Sequence, residues 1–490
     1  MRFKAKFSYL NNYYTYAISK VSSIKESLVD KNKGRNCSNK RDIDNFIFVL
    51  SLCFLLYCIT LVLSETLSIT MWRHDAIVHR NDDYSSNLIT EGRWLNYIVY
   101  PFLKQINPHL STVGCLICLW YFGYKCAINL TNNKRISILY SLSILLIPCF
   151  YSFVGWPLVG LPAYILLAWA AYAYDKWSIH FVLGVSIVFL FGTQNNLCNL
   201  VPLLYLSKSN KLKELFNIIT LWICFYLIGY IVTLLMVRKF GLVWGIQIAE
   251  WRQPNPITSI DDIITNTNIS YQCLKRHIHL FGHRIIVFVL IFILYKTLID
   301  LVKRTKKNVN IYTFLLILCI GISCYLQAIP MGLHVYDRTA HQLWIALISI
   351  GIITFFYSKH IAVLFIVIVS YSNFHLSYET IHYYNTVGKV WTDYIKKIHI
   401  DPRTTDKVYL CMSTQDVALS EERIIKANHL NNYMTEGLGE VERLSSAFLE
   451  NGFKNVTLNR QQCELLKKSS SNSIFSYKNT NNELYVWINN

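Results

Sequence analysis

The sequence predicts a polytopic α-helical membrane protein of about eleven transmembrane helices, carrying a small C-terminal α/β domain. Three observations predict it. Hydrophobic residues make up 53% of the 490-residue chain and charged residues 16%, with a mean hydropathy of +0.31. Soluble domains carry about 25% charge, so this chain cannot coat a water-facing surface of its size. Apolar runs recur through the first 376 residues, many of them near the roughly 20 residues that cross a bilayer. The net charge of +18 is also uneven: residues 377–490 hold 13 Lys/Arg and 13 Asp/Glu, leaving 34 cations against 16 anions in residues 1–376. Cations placed between apolar spans follow the positive-inside pattern of a membrane protein, not a nucleic-acid footprint.

Residues 1–45 form a basic cytoplasmic tail with ten Lys/Arg, and Phe7, Tyr9, Leu10 and Tyr13 suit an interfacial helix on the anionic inner leaflet. A cleaved signal peptide has a far shorter basic region, so the first apolar run reads as a retained span. Spans are expected at 46–67, 110–130, 136–153, 157–174, 179–191, 197–206, 215–237, 285–302, 311–329, 343–357 and 361–371. The runs 179–191 and 197–206 are short and flank a polar junction from Gly192 to Asn196. Fusing them would turn the basic stretches near Lys208 and Lys303 outward, against the charge rule, so two short spans are expected. Their polar junction is expected to border a cavity.

With the N-terminus inside and the C-terminus outside, the membrane domain is 46–376. Its first outer loop is 68–109, later outer pieces are 239–283 and 331–342, and the outer tail domain is 377–490. Alternation in Lys407-Val408-Tyr409-Leu410 and Glu483-Leu484-Tyr485-Val486-Trp487 predicts strands in that domain. The residues from Arg443 predict an amphipathic helix capped by Gly452. Cys411 and Cys463 are the tail's only cysteines and offer one disulfide in an oxidising compartment, or two buried thiols. The other cysteines lie mostly in apolar runs, and the lone CxxC at Cys115 and Cys118 has no second pair to complete a metal set.

Ionisable residues crowd the first outer loop: Arg73, His74, Asp75, His79, Arg80, Asp82, Asp83, Glu91 and Arg93. Asn81-Asp82-Asp83 precedes 84–100, a run with apolar residues at helical spacing. The carboxylates read either as helix caps or as a general base at the mouth of a bilayer cavity, and the two roles are compatible. A second set is Gln194, Asn195 and Asn196. A third surrounds Arg338, which either grips a phosphate or pairs locally with Asp337. Arg252, Arg276, His277, His279 and His283 add cationic or titratable groups on the outer side, suited to headgroups or phosphate rather than zinc. P-loop, dinucleotide and HExxH signatures are absent.

Taken together, Asn81-Asp82-Asp83-Tyr84, Glu91-Gly92-Arg93-Trp94-Leu95, Gln194 and Pro330 to Arg338 resemble the serotype-converting O-antigen glucosyltransferases of enteric bacteria and their prophages, within the glycosyltransferase C superfamily. The hydropathy layout matches along nearly the full chain. The resemblance implies an undecaprenyl-phosphate-glucose donor, a lipid-linked O-antigen acceptor, an active site facing the periplasm from the bacterial inner membrane, and no metal or other cofactor. It implies a single inverting displacement with Asp82 or Asp83 as base and Arg93 and Arg338 on the donor phosphate. Gln194, Trp94 and Glu91 are then the sugar-binding candidates. The alternatives are transfer of another lipid-linked sugar, such as aminoarabinose or mannose, and a lipid or polysaccharide transporter (a flippase).

Overall fold

The computed structural model describes residues 36–68, 84–152, 157–209, 211–248, 252–282, 311–398, 400–428, 430, 441–458, 475–480 and 482–488. The basic stretch up to residue 35, the expected span at 285–302, and Asp82, Asp83 and Cys463 lie outside the described residues. The chain forms two units, Met1–Phe54 and Leu55–Asn490, with the boundary inside the first helix, α1 (Asn36–Thr66).

From Tyr84 the chain runs through α2 (Ser85–Glu91), α3 (Trp94–Leu103), α4 (Pro108–Thr131), α5 (Lys134–Ile144), α6 (Pro148–Ser152), α7 (Pro157–Ala173) and α8 (Ile179–Phe191). A 3-10 helix (Asn195–Lys208) leads to α9 (Leu212–Gly241), α10 (Ile260–Phe281), α11 (Ile311–Ala328), α12 (His341–Ile353) and α13 (Lys359–Lys396). Among the described residues, five helices are long and apolar enough to cross a membrane: Asp42–Thr66, α4, α9, Ile311–Met331 and α13. This is a helical membrane protein. Shorter apolar helices at Pro157–Ala173, Ile179–Phe191 and His341–Phe356 pack against α4, α9, α11 and α13.

Two expected elements are broken. The helical run at 84–100 is two helices, because Gly92 adopts φ +69° and caps α2 through its N–H to the Asn87 and Leu88 carbonyls. The N-cap of α2 is Tyr84, which makes no side-chain capping bond, so the Asp pair precedes the cap position. The run at 136–153 divides into α5 and α6. Residues 145–147 tighten into i→i−3 bonds before Pro148, which has no N–H to continue the ladder.

The short run after α8 is a 3-10 helix. At a rise of about 2.0 Å per residue its 14 residues advance about 28 Å. Leu197 to Leu206 are all buried, and Asn199 and Gln327 exchange two side-chain hydrogen bonds of 3.0 and 2.9 Å that lock this segment to α11. Elsewhere the bundle is pinned by hydroxyls, as in Tyr140–Ser349 at 2.7 Å and Ser370–Ser143 at 2.9 Å.

Beyond α13 come β1 (Lys407–Leu410), α14 (Thr414–Ala427), α15 (Val441–Glu450), β2 (Val456–Leu458), β3 (Phe475–Thr480) and β4 (Glu483–Ile488). Both alternating sequence stretches are strands. The sheet order is β2-β1-β4-β3, with β1 parallel to both neighbours and β3 antiparallel to β4. Val408, Leu410, Leu484 and Val486 face a core completed by Phe448, Leu444 and, from α13, Tyr383, Val387, Trp391 and Ile395. At 38 residues α13 is about 57 Å long, so it runs unbroken from the membrane-type bundle into the tail core. Cys411, at the end of β1, is disulfide-bonded.

Candidate active site

One cavity of about 370 Å³ opens where the ends of α2, α8 and α11 meet the middle of α9. It is built from short, unusual pieces of backbone. At Gly92 an added Cβ would sit 2.6 Å from the Thr233 methyl, so only glycine allows α2 to stop against α9. The turn places Glu91 and Arg93 on either side of that glycine, both on the cavity wall.

Trp94 starts α3 and points elsewhere. Its indole N–H donates to Thr233 Oγ1 at 3.2 Å, and its ring lies against Gly192, where a Cβ would come within 2.3 Å of it. The Leu95 N–H donates to the Gly192 carbonyl at 2.9 Å. Trp94 is therefore buried behind the wall, where it fixes the end of α8, while Thr193, Gln194, Asn195 and Asn196 continue onto the wall itself. Gln194 is 3% exposed, and its Oε1 has no hydrogen-bond partner among the described residues. A buried carbonyl oxygen left open at a cavity is a place for a ligand donor.

The third wall comes from the segment after α9. Leu242 turns in the left-handed region, and the Gln247 N–H donates to the Ile89 carbonyl at 3.0 Å, so the chain docks on α2. Ile246, Ile248 and Arg252 then face the cavity. Arg252 reaches Glu91 Oε1 at 2.7 Å, while Arg93 pairs with Oε2 of the same carboxylate. Burial disfavours charge on Arg93, but Glu91 and the Tyr84 hydroxyl outweigh it and raise the guanidinium's pKa. Burial raises the Tyr84 pKa, with Arg93 opposing, so the phenol stays a neutral donor.

The fourth wall is the turn after α11. Asn266 of α10 donates to the Asn255 and Ile329 carbonyls at 2.8 and 3.0 Å, and the Asn255 N–H donates to the Met331 carbonyl at 2.8 Å. Asp337 is buried and bound by Arg276 at 2.8 Å and His277 Nε2 at 2.5 Å. This leaves the next residue, Arg338, at the cavity, its guanidinium 5.2 Å from the centre of the Tyr336 ring. His334 also lines the wall; burial, then Arg276 and His277, lower its pKa.

The structure thus brings Glu91, Arg93, Gln194 and Arg338 together in one cavity and leaves Trp94 outside it. Asp82 and Asp83 fall outside the described residues, directly before Tyr84, which is on the wall. Sequence reasoning missed Tyr226 and Tyr230, which line the cavity from α9 with Phe191 edge-on to both rings. Their spacing of four, as the two tyrosines of an apolar helix, was the available signal. Three guanidiniums, Arg93, Arg252 and Arg338, against one carboxylate, Glu91, give the cavity lining a positive balance suited to a phosphate-bearing anion, with aromatic and amide groups beside them. Comparisons of the chain with family models, with curated proteins and with solved structures find no match.

Proposed function

We propose that this protein is an inverting glucosyltransferase that uses undecaprenyl-phosphate-glucose and modifies a hydroxyl of lipid-linked O-antigen on the periplasmic side of a bacterial inner membrane. The observation that carries the reading is the shared cavity. Glu91, Arg93, Gln194 and Arg338, distant in sequence, line one space together with Tyr84, the residue that follows Asp83.

In this reading Asp82 or Asp83 takes the proton from the acceptor hydroxyl as its oxygen attacks the anomeric carbon. The bond from that carbon to the donor phosphate breaks, and the phosphate leaves with the electron pair as undecaprenyl phosphate. Arg93 and Arg338 stabilise the charge that grows on it. Glu91 holds Arg93 and Arg252 in place, and the Gln194 carbonyl accepts a hydrogen bond from a sugar hydroxyl. The leaving phosphate needs no strong acid, so a second catalytic carboxylate and a metal are not invoked.

Two further observations support it. The cavity-lining segments near residues 84–93, 191–196, 246–252 and 328–339 all fall on one side of the membrane when about eleven spans are counted from a cytoplasmic N-terminus. The disulfide at Cys411 suits an oxidising compartment for the tail.

The test is mass analysis of surface polysaccharide from isogenic cells with and without the gene. The expected result is one added hexose per repeat unit. An unchanged repeat in a strain that makes the acceptor and the donor ends the proposal, and a mass other than hexose moves the donor to a different lipid-linked sugar.

A further inference from the structure

Helix α10 buries polar side chains and exposes large apolar ones. Its inward face carries Asn266, Ser270 and His277 with Cys273, all buried, whereas Ile260 and Ile264 are 75% and 63% exposed and Ile263 and Tyr271 are exposed as well. Thr265, Thr267, Asn268 and Gln272 are the uncharged polar residues exposed among them, Asp261 and Asp262 lie in the first turn, and no charged residue occurs from 263 to 274. A helix in water keeps its large apolar side chains inward, so this mixed face of isoleucine, tyrosine and uncharged polar groups fits the boundary between acyl chains and headgroups.

The surrounding surface agrees. Along α9 the exposed positions Phe216, Ile223, Leu227, Ile231 and Leu235 form one stripe, as expected where a spanning helix meets acyl chains. The stripe continues into Leu242 and Trp244, 76% and 71% exposed, on the segment that leads to α10. The Arg238 guanidinium stacks over the Trp244 ring at 5.2 Å, the cation-and-tryptophan pairing that marks a membrane–water boundary.

We infer that the amino-terminal half of α10 lies in the lipid interface at the end of α9, with Ile260, Ile263, Ile264 and Tyr271 among the acyl chains and headgroups. Lys275 and His279, exposed further along the helix, mark where it rises back to water. The inner face of the same helix holds the cavity turn through Asn266, Arg276 and His277. The bilayer surface is therefore the floor on which the Arg338 turn is braced. This inference rests on the exposure pattern and not on the proposed reaction, and the two fail separately.

The experiment uses the full-length protein in nanodiscs containing a phospholipid with a diazirine in its acyl chain, followed by peptide mass spectrometry. A parallel sample receives a water-soluble carbene precursor. The expected result is lipid adducts on Ile260, Ile263, Ile264 or Tyr271 at the level of the α9 stripe, and roughly tenfold above Leu419, an exposed tail residue used as the aqueous control. Labelling of this peptide by the water-soluble probe alone overturns the inference. Protection from both probes also overturns it, because the face is then covered by protein, either another segment or a second copy.

Discussion

Glu91 and Arg252, 161 positions apart in the chain, are joined by an ion pair of 2.7 Å while Arg93 holds the other oxygen of the same carboxylate. One carboxylate thereby sets the spacing of two guanidiniums. All three side chains keep some solvent contact, so the pair adds little to stability and its work is positional. Glu91→Gln is expected to raise the donor KM roughly tenfold, a loss of about 1.4 kcal/mol of binding. The double variant with Arg252→Gln should lose less than the two single losses combined, by more than about 0.5 kcal/mol. Strict additivity in the KM values would show that the two residues act apart.

Asp82→Asn and Asp83→Asn test the base. With membrane levels checked by blot, at least one variant should lose transfer by roughly 100-fold or more. Full activity in both removes a carboxylate base from the mechanism.

Gly192→Ala forces a Cβ into the Trp94 ring, with a contact of 2.3 Å. Overpacking of that kind costs about 1–3 kcal/mol, read as a lower unfolding temperature in detergent. Trp94→Phe in the same background should recover part of the loss. Trp94→Phe alone is expected to keep donor and acceptor KM near wild type, and a large rise in either would place the indole on a sugar.

His334 gives the stability a pH dependence of defined sign. Its pKa lies below the ordinary 6.5, so the unfolded chain takes up a proton that the folded protein resists. Its contribution is present above about pH 6.5 and is lost as the pH falls from there through the lowered folded value. Thermal unfolding across this range should fall less steeply for His334→Ala than for wild type. Equal slopes would mean that the ring stays solvated.

The sequence carried the helices better than the joints. Apolar runs located α4, α7, α8, α9, α11 and α12 within a few residues, because helix length is fixed by the same hydrophobic run that buries it. Breaks inside such runs were hidden: Gly92 stops a helix because of where Thr233 lies, 141 positions further on, which no local pattern encodes. The same holds for the site. A local pair with Asp337 is one of the two sequence readings of Arg338, and no local pattern shows that Asp337 is bound by Arg276 and His277 from α10, reached only through the tertiary fold. Asn199 and Gln327 likewise find each other across 128 positions, with nothing in either flank to announce it.

The unbroken passage of α13 from the bundle into the tail core has a mechanical consequence. Ser370 and Ser377 fasten its membrane half to Ser143 and Leu146, while Trp391 and Ile395 belong to the sheet's core. Each residue of α-helix advances about 1.5 Å and turns about 100°. The azimuth of the sheet about this axle is consequently counted out in residues: inserting one amino acid between 378 and 382 would swing it by more than a quarter of a circle, whereas a seven-residue insertion would return it nearly to phase and only lift it.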